Sequence, residues 1–395
     1  MNELTCIVIG GGYAGINAVK AIRKTYKGDG GTRRLRLILI DQHPYHLRKV
    51  LLFKPAVTDE DIKVPLTKLF PEGVEFVQAA VTKIESGEKT ILYRDFGGNE
   101  HSIHYDVLVV AAGSVIRRPD SAQGGIALSS IDAAKKIREE WCSNLRKAVN
   151  EKNGTERQRL MTIAVGGAGI SGIETSAELA HFVREDARQL GLDPNEVMVN
   201  LVNANDRLFP EGPVKIGRKL EQFLNAKGVT VIHGSRVLHE KGGTLTLSSG
   251  KTMSVGLCIW TLGLMPNPVL KSMGLPVTSK GYAMVDESYR VQGAHGVYCI
   301  GDCAQIVDPA SGKADGKTCK EATAQATRLG KVMMADLAGR TAPVHKSFMD
   351  FFCFGLGPEQ GLVWTRIWGM NMIMTGRLGW KLRKYTWDSA SLLPS

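Results

Sequence analysis

Twice along this chain a short, wholly apolar segment runs straight into a glycine-rich turn and then into helical periodicity. Leu4 to Ile9 leads into Gly10-Gly11-Gly12-Tyr13-Ala14-Gly15, and Met161 to Val165 leads into Gly166-Gly167-Ala168-Gly169-Ile170-Ser171-Gly172. A strand that is apolar on both faces belongs inside a parallel sheet covered by helices. In each Gly-x-Gly-x-x-Gly turn the first glycine (Gly10, Gly167) permits the tight bend and the second (Gly12, Gly169) lets a diphosphate approach the backbone. The third (Gly15, Gly172) lets helix and strand pack closely. The helix after each turn offers unpaired N–H groups and the positive end of its dipole to that diphosphate.

The strands beyond the two turns end differently. After the first, Leu35 to Ile40 reads as a second strand ending at Asp41, whose carboxylate is placed to accept hydrogen bonds from two ribose hydroxyls. After the second, the strand Val197 to Val202 ends at Asn203, with Arg207 close behind. A carboxylate there favours a free ribose 2′-hydroxyl, whereas a neutral Asn near an Arg leaves both NADH and NADPH open. Two dinucleotide sites in one chain point to hydride transfer from a nicotinamide to a flavin, with FAD on the first unit and NADH or NADPH on the second. Gly301-Asp302, after the apolar Val297 to Ile300, supplies an acid for the ribityl or diphosphate part of FAD, although an Asp so placed also caps helices. The expected fold is α/β with two Rossmann-like dinucleotide-binding domains. The FAD domain is discontinuous (1–120 and 280–340), the NAD(P)H domain is inserted (121–279), and 341–395 forms a tail or subdomain.

The formal charge of +11, from 50 Lys plus Arg against 39 Asp plus Glu, admits nucleic acid, anionic lipid or phosphate-bearing cofactors as partners. No nucleic-acid reader motif accompanies it, so nucleic acid is excluded as a partner. The seven cysteines lie mostly in apolar runs without a CxxC pair, which argues for buried thiols in a reducing compartment and against a metal site. Met1-Asn2-Glu3-Leu4 lacks the basic region, apolar stretch and cleavage site of a secretory leader, and no run of roughly 18 apolar residues occurs. The expected location is cytoplasmic, or peripheral on the inner face of a membrane.

Five ordered motifs then resemble the two-dinucleotide-binding-domain flavoprotein superfamily over about residues 4–330. They are VIGGGYAG with Asp41, YDVLVVAAGS (Tyr105 to Ser114), VGGAGISGIE (Val165 to Glu174), CIWTLGLMPNP (Cys258 to Pro268) and VYCIGDCA (Val297 to Ala304). By that resemblance Gly10, Gly12, Gly15, Asp41, Val81, Ala111, Gly113 and Asp302 contact FAD. Gly167, Gly169, Gly172, Glu174, Asn203 and Gly263 face the nicotinamide nucleotide. Within the superfamily, disulfide reductases carry two cysteines beside the flavin, and this chain has none between Cys6 and Cys142. Sulfide:quinone oxidoreductases use separated cysteines, for which Cys142, Cys319 and Cys353 are candidates.

The closest resemblance is to type II NADH dehydrogenases and the related apoptosis-inducing-factor-like quinone reductases. It rests on Asp41-Gln42-His43-Pro44-Tyr45-His46-Leu47, on Ala322-Thr323-Ala324-Gln325-Ala326 and on Gly376-Arg377-Leu378-Gly379-Trp380-Lys381-Leu382. Glu321 and Thr327-Arg328 depart from that family's pattern. The resemblance implies that Glu174 sits by the nicotinamide and Gln325 by the flavin and a quinone acceptor, with Tyr45, His46 and Glu321 as lesser candidates. From Trp364 to Asp388, Arg366, Arg377, Lys381, Arg383 and Lys384 are interleaved with Trp, Met, Ile and Leu, a pattern that suits a monotopic membrane anchor. A homodimer interface or a plug over the flavin are the alternatives for this tail. For the whole chain the alternatives are a soluble flavoprotein acting on a small metabolite and an NAD(P)H-responsive binding protein.

Overall fold

The computed structural model describes residues 3–28 and 33–394. In chain order it has β1 (Glu3–Ile9), α1 (Tyr13–Gly28), β2 (Arg34–Asp41), β3 (Glu75–Gln78), β4 (Val107–Val110), β5 (Ile126–Ala127), α2 (Ile131–Asn150), β6 (Thr162–Gly166) and α3 (Ile170–Gln189). Then come β7 (Met198–Val202), α4 (Val214–Ala226), β8 (Val229–Ile232), β9 (Leu257–Trp260), β10 (Val297–Cys299), α5 (Cys319–Leu337), β11 (Phe351–Gly355), β12 (Gly361–Ile367), β13 (Met370–Thr375) and α6 (Gly376–Ala390). Smaller elements fill the connections.

Two five-stranded sheets carry the architecture, in the orders β10-β4-β1-β2-β3 and β5-β9-β6-β7-β8. All pairs in both are parallel, as the two-sided apolar strands require. In each, the strand before the glycine turn is central and is flanked by the strand that ends at Asp41 or Asn203. β10 returns to the first sheet after the whole second sheet has been laid down, which carries Gly301-Asp302 to the mouth of the first glycine turn. The two units are tied by an antiparallel pairing of Ser114–Ile116 with Leu264–Pro266.

Helix α1 packs along α5, and Gly330 permits a close approach: a Cβ there would lie 2.8 Å from Thr25 Oγ1. Between α1 and β2 the sequence from Lys27 to Thr32 reads as a glycine-rich turn, of which 29–32 lie outside the described residues.

Most of the tail is built into the body of the molecule. β11, β12 and β13 form an antiparallel sheet, and α6 packs across it and onto the rest of the molecule. Trp364 and Trp387 are buried in the core that also holds the second sheet. The tail glycines, unfavourable to an isolated helix, serve this packing, because a Cβ at Gly379 would lie 2.5 Å from the Gly361 carbonyl oxygen. Four of the five tail cations are already paired, Arg366 with Asp350, Arg377 with Glu359, Lys384 with Asp388 and Arg383 with Glu174. Much of the apparent basic surface is therefore internally neutralised.

Candidate functional site

The first glycine turn is shaped by contacts that leave no room for side chains. Gly10 takes φ +105°, and a Cβ on it would lie 2.4 Å from the Ala111 carbonyl oxygen, while one on Gly15 would lie 1.7 Å from that of Gly10. Gly12 differs, since a Cβ there would meet nothing within 4 Å. Its open side faces a cavity of about 720 Å³, within the range of cofactor sites. Asp41 accepts hydrogen bonds from the Gly11 and His43 amides at 2.6 and 2.7 Å, which fixes its carboxylate on the cavity wall.

Opposite, Ser114 Oγ donates to Asp302 at 2.7 Å, and Lys49 Nζ donates to Ser114 Oγ and to its carbonyl at 3.0 and 2.7 Å. Burial pushes the Asp302 carboxyl above its ordinary range while Ser114, Lys49 and Lys317 pull it back. Burial likewise lowers Lys49, against the attraction of Asp302. These are polar groups held around open space with hydrogen-bonding capacity to spare. Val81, Ala111, Gly113 and Gly263 complete this wall. An open backbone turn at a helix start, a fixed ribose-facing acid and a half-buried Ser-Asp-Lys set fit an extended dinucleotide with a diphosphate in its middle.

The second turn repeats the geometry. Gly167 takes φ +113°, a Cβ on Gly172 would lie 1.9 Å from the Gly167 carbonyl oxygen, and one on Gly169 would meet nothing. These three glycines and Asn203 stand outside the cavity, but the first residues of α3, Ile170 and Ser171, lie on its wall together with Glu174 and Thr261. A nucleotide on the second turn thus extends into the space that the first turn opens onto.

Several candidates are placed differently from the expectation. Glu174 does line the cavity, yet it is no free acid: it accepts from Arg383 Nε and Nη2 at 2.8 and 2.9 Å and from the Gly355 amide at 2.7 Å. Gln325 does not line the cavity. Buried behind its wall, it accepts from the Gly301 amide and donates to Asp315, although Ala322, one turn earlier on the same face, does line the cavity. Arg207 spends its guanidinium on the Phe209, Pro210 and Gly212 carbonyls, so it does not reach toward a 2′-phosphate. Asn203 Nδ2 is spent on the Arg207 carbonyl and on His233 Nδ1. His46 is a core residue, with Nδ1 on the Gly11 carbonyl and burial holding it down at about 4. Glu321 closes a capping box with Thr318, while Tyr45 lies on the cavity wall.

Of the three cysteines, Cys319 and Cys353 line the cavity and Cys142 sits apart on α2. Burial raises all three thiols, which keeps them protonated and weakly nucleophilic. Sequence reasoning missed Lys49, Lys317, Lys320 and Phe352 on the wall, and read Arg383 as a surface cation. Only the dense Lys317-Thr318-Cys319-Lys320 run before Gln325 offered a local signal.

This fold and cavity define a flavoprotein oxidoreductase with two dinucleotide-binding units. Residues 4–326 match the model of the pyridine nucleotide-disulphide oxidoreductases, and the chain belongs to that family. It is similar to the type II NADH:quinone oxidoreductase of Staphylococcus aureus strain NCTC 8325, with 24% identity over 315 residues covering 76% of this chain and 74% of the relative. Its fold is similar to that of NDH2 from Plasmodium falciparum in complex with NADH, with a TM-score of 0.80, 17% identity and coverage of 98% and 97%. It is also similar to the sulfide:quinone oxidoreductase of Aquifex aeolicus, with a TM-score of 0.75, 15% identity and coverage of 98% and 90%. The chain is an oxidoreductase whose two dinucleotides are FAD and a nicotinamide nucleotide.

Proposed function

We propose that this chain oxidises NADH and reduces a quinone. The observation that carries the reading is one continuous cavity with three kinds of wall: Gly10 to Gly12, Asp41 and Asp302 from the first unit, Ile170, Ser171 and Glu174 from the second, and Phe352, Cys353 and Arg383 from the tail. FAD, when bound, accepts hydride from the nicotinamide and yields electrons to the second substrate. The chain's own part is positioning and charge. The first glycine turn and Asp41 hold the diphosphate and ribose. Lys49 and Asp302 orient what lies between them, and the buried Glu174–Arg383 pair sets the field where the substrates meet. In this reading residues 1–120 with 280–340 hold FAD, 121–279 hold the nucleotide, and 341–395 shape the acceptor side. Neutral, buried thiols favour the quinone reading over sulfide chemistry.

The direct test is anaerobic reduction of the purified yellow protein by NADH, followed by addition of a short-chain quinone. Bleaching by NADH and quinone-dependent recovery of the colour are expected. Failure to bleach sinks the enzyme reading, and bleaching without recovery by quinone leaves the soluble-metabolite alternative.

NADH is preferred to NADPH in this proposal, because Arg207 is committed to backbone carbonyls and Asp206, exposed in the same loop, repels a 2′-phosphate. Asn203 acts by bracing the loop. Asn203→Asp leaves two acceptors facing a carboxylate, and kcat/KM is expected to fall about tenfold for both nucleotides, as for the loss of these two hydrogen bonds. A loss confined to NADPH would show that Asn203 reads the 2′ position itself.

Among the described residues no helix is long and apolar enough to cross a membrane. Trp368, at the tip of the β12–β13 hairpin, is 92% exposed, and Met370 and Met372, next along β13, are exposed as well. We assign this patch to a membrane surface, the phase that holds lipid-soluble quinones. Trp368→Ser with Met370→Ser is expected to abolish most binding to anionic liposomes while leaving NADH-dependent bleaching intact. Unchanged liposome binding, or concentration-dependent dimerisation in its place, overturns the assignment.

A further inference from the structure

Behind the cavity wall runs a chain of buried polar side chains that the reaction does not touch. Arg328 Nη1 donates to Tyr289 Oη at 3.0 Å, Tyr289 Oη lies 2.9 Å from His345 Nδ1, and His345 Nε2 lies 3.1 Å from Asp315 Oδ1. Asp315 Oδ2 accepts from Gln325 Nε2 at 2.6 Å, and Gln325 Oε1 accepts from the Gly301 amide at 2.8 Å. Tyr289, His345 and Gln325 are buried, and the His345 and Asp315 side chains are 2% and 4% exposed.

Only one assignment of hydrogens satisfies every member. The phenol oxygen accepts from Arg328, and His345 Nδ1 is the one acceptor within reach of the phenol hydrogen among the described residues, so that hydrogen goes to Nδ1. That puts the ring hydrogen on Nε2, where it meets the Asp315 carboxylate. The other carboxylate oxygen then takes the Gln325 amide hydrogen, which forces the Gln325 oxygen toward Gly301. Gly301 has φ +81° and a Cβ there would press on Ala14 at 2.7 Å, so this turn has no slack, and the next residue is Asp302 on the cavity wall.

We propose that Tyr289, His345, Asp315 and Gln325 form a hydrogen-bond relay of fixed polarity that positions the Gly301-Asp302 turn and, through Asp302, FAD. The inference rests on the reading that the cavity holds FAD. These are positioning residues, since none meets the cofactor. The relay also gives Gln325 a role that its place off the cavity leaves open.

The test exploits polarity. In Asp315→Asn the new amide hydrogens face those of Gln325, and in Gln325→Glu two carboxylates face each other. Each single variant is expected to weaken FAD binding at least about tenfold, the loss of one buried partner. The double variant Asp315→Asn with Gln325→Glu restores the pattern. The new amide at position 315 accepts from His345 through its oxygen and donates through its nitrogen to the new carboxylate at position 325, whose other oxygen accepts from Gly301. Its FAD affinity, measured by quenching of flavin fluorescence on apoprotein, is expected to return to within about threefold of wild type, and so is the visible circular dichroism of bound flavin. Singles that bind FAD like wild type overturn the relay while leaving the FAD reading intact, and so does a double variant no better than the worse single. Wild-type apoprotein that fails to take up FAD overturns the reading beneath it. Should a single variant fail to fold, Tyr289→Phe removes one oxygen at the far end. A changed flavin circular dichroism supports the relay, and an unchanged spectrum with unchanged affinity overturns it.

Discussion

Valine in place of Gly12 is expected to give a folded but colourless protein, and valine in place of Gly169 a yellow protein that NADH barely bleaches. Both glycines point an absent Cβ into open space, and neither takes a positive φ, so neither the Cβ nor the backbone opposes a side chain in the apoprotein. The added methyl groups occupy the volume that a diphosphate needs against the helix start. FAD retention through purification is expected to fall by more than about tenfold for Gly12→Val. For Gly169→Val, kcat/KM for NADH is expected to fall at least about a hundredfold, or roughly 2.7 kcal/mol of transition-state stabilisation. Melting temperatures of the two apoproteins should match wild type, which separates lost ligand from lost fold. The neighbours Gly15 and Gly172 are predicted to behave otherwise, because a Cβ on either collides with a backbone carbonyl and the turn itself must open. A Gly169→Val protein that NADH reduces at the wild-type rate would refute the assignment of the second turn.

Local chemistry explains which parts of this site were legible in the chain. The two turns, Asp41 and Asp302 sit at strand ends whose apolar runs and glycine spacing are read within a few residues, and the parallel sheets follow from the same runs. Val81, Ala111, Gly113 and Gly263 were placed at the cofactor through a resemblance that spans the ordered motifs. The hidden parts depend on pairs far apart in sequence. Arg383 and Glu174 are 209 residues apart and Lys49 and Ser114 are 65 apart, and no periodicity links either pair. The tail cations misled because their spacing matches that of lipid-facing residues, while four of the five are paired with acids at Asp350, Glu359, Asp388 and Glu174. Gln325 misled for a subtler reason. Helical spacing puts Ala322 and Gln325 one turn apart, but the side chain finds its two partners inward, at Gly301 and Asp315.

Arg383→Met should be the most destabilising single substitution in the tail. The Glu174–Arg383 pair is 2% and 8% exposed and joins α3 to α6, so removing the guanidinium strands a carboxylate with only the Gly355 amide. Breaking a buried pair from one side costs about 3–5 kcal/mol, or about 4–6 °C in melting temperature for a chain of this size. Removing both partners is different, because an apolar pair of similar volume escapes the desolvation of two ions. Glu174→Leu with Arg383→Met is therefore expected to recover most of the lost stability. Recovery of activity is not expected, since both residues line the cavity where nucleotide and acceptor meet. That split sets a structural tie apart from a working one. A double variant that regains both its melting temperature and its NADH-dependent quinone reduction would reduce the pair to a fastener. If the melting temperature returns while turnover stays low, the charge pair shapes the reaction field, and the tail is part of the active site.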